Sequence, residues 1–151
     1  MVLGMIEVGR GFVFGVATQD GARQAARLAA NARQDPAISD RVIFQRLIDS
    51  SAPAMSGCTL PGTLGSVSTT LTCPAGAGTW QLSMVITPNG TASVANTFAG
   101  LSTAGLNQLN GATVEVKAVG SVSLLAGFAT GAMGLSLYQL SVQGDAVMVV
   151  L

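Results

Sequence analysis

The residues of this chain that could do chemistry are few. It has seven carboxylates, seven cations, two cysteines and no histidine. A side-chain nucleophile needs a base held against it to take its proton, and the residue that most often fills that role is missing. A glycosidase would need two carboxylates facing each other across a cleft. Beyond residue 50 only Glu115 and Asp145 are on offer. Glu115 with Lys117 on one strand face reads most simply as a solvated ion pair. No P-loop, no G-x-S-x-G and no G-x-G-x-x-G occurs. The glycines of "GFATGAMG" stand without a lysine or a helix cap to cradle phosphate. The reading is a non-enzymatic protein with no cofactor, metal or small-molecule substrate.

Cys58 and Cys73 form a C-x14-C pair in a stretch rich in Gly, Pro, Ser and Thr. Two cysteines without histidine make a poor zinc site. A disulfide closing the loop fits better, and a loop of this size would gain about 3 kcal/mol from closure. That reading implies an oxidising compartment. The alternative is a pair of free thiols in a reduced cytosol.

These residues sit on elements of two kinds. Charged residues make up 9% of the chain, against roughly 25% in ordinary domains. Net charge is zero, which leaves no electrostatic footprint for nucleic acid and no polybasic membrane patch. Arg10, Arg23, Arg27, Arg33, Arg41 and Arg46 all precede residue 50, whereas only Glu115, Lys117 and Asp145 follow it. The chain therefore divides into a helical segment, 1–34, and an α+β head, 35–151.

"MVLGMIEVGRGFVFGVAT" is apolar but broken by Glu7 and Arg10. It is too short and too charged to span a bilayer alone. It also lacks the basic start and small-residue cleavage site of a signal peptide. "TQDGARQAARLAANARQ" follows without a breaker and is rich in helix formers. One helix over about 3–33 is expected. Gly11 and Gly15 form G-x-x-x-G, and Gly21, Ala25 and Ala29 continue four-residue spacing on another row. Such rows allow close helix approach. The helix could use them against its own domain or against copies of itself.

"QDPAISDRVIFQRLIDSSAP" reads as a second helix capped by Asp35, with Pro36 at its first position. Its apolar face is Ile38, Val42, Ile43, Leu47 and Ile48, and Pro53 ends it. Residues 54–78 read as loop or irregular β. "TWQLSMVIT" alternates as a strand, and Pro88-Asn89-Gly90 turns after it. Phe98, Leu101, Gly105 and Leu109 have helical spacing. "ATVEVKAVGSVSLL" is a strand and "AGFATGAMG" a loop. "LSLYQLSV" and "DAVMVVL" read as two strands separated near Gly144.

The first third carries a resemblance. "LGMIEVGRGFVFGVATQDGARQAARLAA" resembles the N-terminal signature of the TadE-like family, minor pilins or pseudopilins of the tight-adherence (Flp-type) pilus system. The matching positions are Gly4, Ile6, Glu7, Gly9 and Arg10, then Gly21, Ala22, Arg23, Ala26, Arg27, Ala29 and Ala30. The close of the chain, "LSVQGDAVMVVL", is also similar to the family's short final strand. In the family the apolar run begins earlier, behind a prepilin-type leader. Residues 3–15 accordingly read as the second half of an anchor, where it leaves lipid.

The resemblance implies a pilin-like α+β fold, with a long N-terminal helix, a second short helix and a small antiparallel sheet as the head. It implies a structural or assembly role in a type IV-like pilus, with other pilin or pilus-assembly subunits as partners. It further implies a place in the bacterial cell envelope. The chain would be anchored in the inner membrane through the N-terminal helix with a periplasmic head, or incorporated in an extracellular pilus. Glu7, Arg10, Gly11, Gly15, Gly21, Ala25 and Ala29 would serve the helix-packing or subunit interface. Glu7 and Arg10, three apart, can pair along the helix. A rival reading is a surface-exposed, adhesin-like binding module carried by the Ser/Thr-rich β part and the Cys58–Cys73 loop.

Overall fold

A computed structural model describes residues 2–32, 34–35, 37–66, 68–74, 78–89, 98, 109–123 and 139–150. Two helices precede four strands: α1 (Val2–Ala30), α2 (Asp40–Ser50), β1 (Ser68–Thr70), β2 (Thr79–Thr87), β3 (Thr113–Ser123) and β4 (Gln139–Val149). The strands form one antiparallel sheet in the order β1-β2-β3-β4. This is an α+β fold of a long helix, a shorter helix and a small antiparallel sheet. The helical spacing expected over 97–110 and the loop at 126–134 lie outside the described residues, except for Phe98, Leu109 and Asn110.

The sheet is built by strict alternation. Trp80, Leu82, Met84 and Ile86 of β2 are fully buried, as are Val114, Val116 and Ala118 of β3. Their neighbours in sequence, Gln81, Ser83, Glu115 and Lys117 among them, point to the outer face. Along its middle rows the inner face tapers from β2 toward β4. Across the register, Leu82 stands beside Ala118 and Ala118 beside Gly144, while Trp80 stands beside Gly120 and Gly120 beside Val142. A Cβ at Gly120 would run into the Trp80 indole. Large side chains fill the β2 side, and Ala118, Gly144 and Ala146 leave room over the middle of β3 and β4. There α1 packs against both strands, with α2 beside it. Ala22, Ala25, Ala26 and Ala29 of α1 share one hydrophobic core with Ile43, Phe44 and Leu47 of α2 and with the inner sheet residues.

The closest approach falls at Gly144. A Cβ there would lie 2.6 Å from the carbonyl carbon and oxygen of Thr18 and 2.8 Å from the Gln19 nitrogen. The expected break near Gly144 is therefore corrected. β4 runs unbroken through it, and the glycine marks a helix backbone lying directly on a strand. Thr18 suits the contact because its hydroxyl donates to the Phe14 carbonyl one turn back, at 2.8 Å. At the same crossing Gln19 reaches the β4 edge. Its Nε2 donates to the Asp145 carbonyl at 2.6 Å, and its Oε1 accepts the Asp145 N–H at 3.2 Å. The carboxamide thus pairs with β4 as one peptide of a fifth strand would.

Two further expectations change. Helix α2 starts at Asp40 behind Ser39, later than the Asp35-Pro36 signature suggests. The Asp35 carboxylate accepts the Ala37 N–H at 2.9 Å in a local turn, and so it is not at the helix end. Asp40, buried in the first turn of α2, accepts the N–H of Phe98 at 2.9 Å. The expected anchorage in the inner membrane, and the localisation built on it, is also corrected. Among the described residues no helix is long and apolar enough to cross a membrane. A 29-residue helix reaches about 43 Å, so length does not fail it. Glu7 and Arg10 interrupt its apolar half, and arginines and glutamines occupy the rest.

Replacing Gly144 by Ala forces two backbones apart and should cost about 2 kcal/mol. That corresponds to a fall in Tm of about 5 °C, measurable by calorimetry. An unchanged Tm would mean that α1 does not seat on β4 at this point.

Candidate functional site

The site is α1, and it has two faces. The inner row runs Glu7, Phe14, Thr18, Ala22, Ala25 and Ala29, all buried at helical spacing. The outer row changes character along its length. Met5, Val8 and Phe12 are 77, 75 and 73% exposed, and Val16 continues them. Asp20, Arg23 and Arg27 then take over the same face and are exposed too. One half of the outer face is thus exposed and apolar, and the other is ordinary charged surface.

The residues expected at a subunit interface fall on different sides of this division. Gly21 faces α2, where an added Cβ would meet the Ser51 side chain and come within 2.9 Å of the Leu47 carbonyl oxygen. Ala25 and Ala29 are fully buried in the chain's own core. The G-x-x-x-G pair divides as well. A Cβ on Gly11 would strike the Leu140 side chain of β4, whereas one on Gly15 would meet nothing within 4 Å. Gly15 lines an open groove of about 410 Å³ with Phe12, Val16, Gln19, Asp20, Arg23 and Gln143. Among the expected positions Gly15 therefore sits beside the exposed apolar stripe, while Gly11, Gly21, Ala25 and Ala29 pack within the chain.

Glu7 and Arg10 differ in burial. Glu7 is buried. The Arg10 guanidinium lies over the Phe14 ring, 5.1 Å from its centroid, a favourable cation–π position. Further along α1, Arg23 forms an ion pair with Asp20 at 3.5 Å. Cys58 and Cys73 are joined as a disulfide. Beside it Thr59 and Thr72 exchange backbone hydrogen bonds of 2.8 and 3.0 Å, so the loop is closed twice. Glu115 and Asp145 lie on the outer sheet face with Lys117, which stands directly across from Asp145. Among the described residues no three His, Cys, Asp or Glu side chains are grouped to hold a metal ion.

Reasoning from sequence alone missed Met5, Val8 and Phe12 as surface residues and Gln19 as the edge partner of β4. The first three had a signal, the i, i+3, i+7 spacing of a helix face. Gln19 had none, since its partner is 126 residues away.

The split of the glycine pair is testable. Gly11→Leu must displace Leu140, whereas Gly15→Leu enters open space and gains helix propensity. Chemical denaturation should find the Gly15 variant more stable than the Gly11 variant by about 2 kcal/mol. Equal stabilities would place both glycines on the same side of the helix. No family model, curated protein or solved structure matches this chain.

Proposed function

We propose that the chain is a structural subunit of a helical filament, of the TadE-like minor pilin or pseudopilin kind, and that other subunits dock on the outer face of α1. The observation that carries this reading is the exposed stripe of Met5, Val8, Phe12 and Val16. A contiguous apolar surface left in water marks an interaction site. Met5, Val8 and Phe12 follow the a and d positions of a heptad, and Gly15 takes the next d position. That is the pattern of a helix seam that packs on another helix. A glycine with no atom near its missing Cβ lets a partner backbone come close. The resemblance of Gly4, Ile6, Glu7, Gly9 and Arg10 to the family signature supports the same reading.

The charge pattern fits a partner that covers only the first half of α1. Asp20, Arg23 and Arg27 are solvated on the second half, and burying them would be costly. The docking helix should therefore end near Val16.

Val8→Glu and Phe12→Glu test this in the host cell. Both side chains are exposed, so stability should hold within about 0.5 kcal/mol. Cross-linking to other subunits and recovery in purified filaments should fall sharply. Undiminished incorporation of the double variant would overturn the proposal.

A further inference from the structure

The described arginines differ in what they touch. Arg10 lies over Phe14, Arg23 pairs with Asp20, and Arg41 donates to the Pro61 carbonyl at 3.0 Å. Arg27 and Arg46 have no acceptor among the described residues, and these two line the same cleft. It lies between α1 and α2, has a volume of about 510 Å³, and is completed by Gln24, Leu28 and Asn31. Among the described residues no carboxylate lines it. The Gln24 carboxamide oxygen is held by the Ser50 hydroxyl at 3.0 Å, which leaves its NH₂ as the free end.

We infer that this cleft binds a phosphate- or sulfate-type oxyanion through Arg27 and Arg46, with Gln24 and Asn31 as further donors. Two like charges brought to one cleft repel each other unless something answers them. Placement of Arg27 in the last turn of α1 also suits the helix dipole. That account does not extend to Arg46, which stands in the middle of α2. The backbone positions from which the two arginines extend are set by packing, since Gly21 allows α1 to lie directly on the Leu47 turn of α2. Guanidinium groups offer forked N–H pairs that match oxyanion geometry. Two forks and two amides give donors for all four oxygens of a tetrahedral anion, more than a carboxylate can use. The cleft is open to solvent, so binding will be modest, with Kd about 1 mM.

The test is a titration of the ¹⁵N-labelled chain with inorganic phosphate at constant ionic strength, read at the arginine side-chain Nε–H resonances. Saturable shifts are expected at Arg27 and Arg46 and not at Arg23 or Arg41. Arg27→Gln and Arg46→Gln should each raise Kd about tenfold. Asn31→Asp keeps both arginines but fills the cleft with a carboxylate, and should abolish binding. Sulfate should compete, and acetate at the same concentration should not. Glycerol 3-phosphate separates the two sources of the group. Equal affinity means the cleft reads the free oxyanion, and tighter binding means it reads a phosphate ester. Shifts that fail to saturate, or that persist unchanged in the Arg27→Gln/Arg46→Gln double variant, would overturn the assignment.

Discussion

A helix can lie directly on a strand only where no side chain stands between the two backbones, and in this chain that place is Gly144. Thr18 and Gln19 of α1 occupy the space a Cβ would take. The crossing sets the rotation of α1 about its own axis. With Thr18 turned to the sheet, Phe14, Ala22, Ala25 and Ala29 follow at helical spacing and enter the core. The opposite side, with Met5, Val8 and Phe12, must then face outward. Gln19 adds a second restraint by pairing with the main chain of Asp145. Part of the open β4 edge is thereby covered, and exposed edges are the usual route to unwanted strand pairing.

The taper of the inner sheet face serves the same crossing. Bulky Trp80, Leu82, Met84 and Ile86 fill β2, and Ala118, Gly120, Gly144 and Ala146 pave β3 and β4. An alanine-faced helix fits the small side of that surface at short range, where dispersion contacts are densest. Larger residues on either partner would lift α1 away and lose the Gln19 pairing. The same taper explains why a chain so poor in charge can hold a long helix. Its inner face is held by packing, and its outer face is charged only where water is the expected neighbour.

Much of the sheet was legible in the sequence. The alternation in "TWQLSMVIT" and "ATVEVKAVG" marks β2 and β3 because an inner and an outer face demand different residues. Gly144 reads as a strand break in the sequence because a glycine at a turn and a glycine under a helix look alike in one dimension. Only a backbone 126 residues away tells them apart. Asp35-Pro36 misled for a similar reason. The pair favours a helix start, but a local turn satisfied Asp35 first. The small-residue rows showed that α1 packs closely on something, yet spacing does not say on what. The rows at Gly11, Gly21, Ala25 and Ala29 face the chain itself, and Gly15 does not. The apolar start of α1 suggests lipid, but among the described residues no helix is long and apolar enough to span a membrane.

The central claim is that α1 has one side fixed on the sheet and an apolar side waiting for another subunit. Hydroxyl-radical footprinting tests it most directly, on the isolated chain and on assembled filaments. In the isolated chain Met5 and Phe12 should be oxidised readily, while Phe14, Trp80 and Met84 stay protected. In filaments Met5 and Phe12 should become protected as well. Oxidation of Met5 and Phe12 at equal rates in both states, or early oxidation of Phe14 in the isolated chain, would contradict the account.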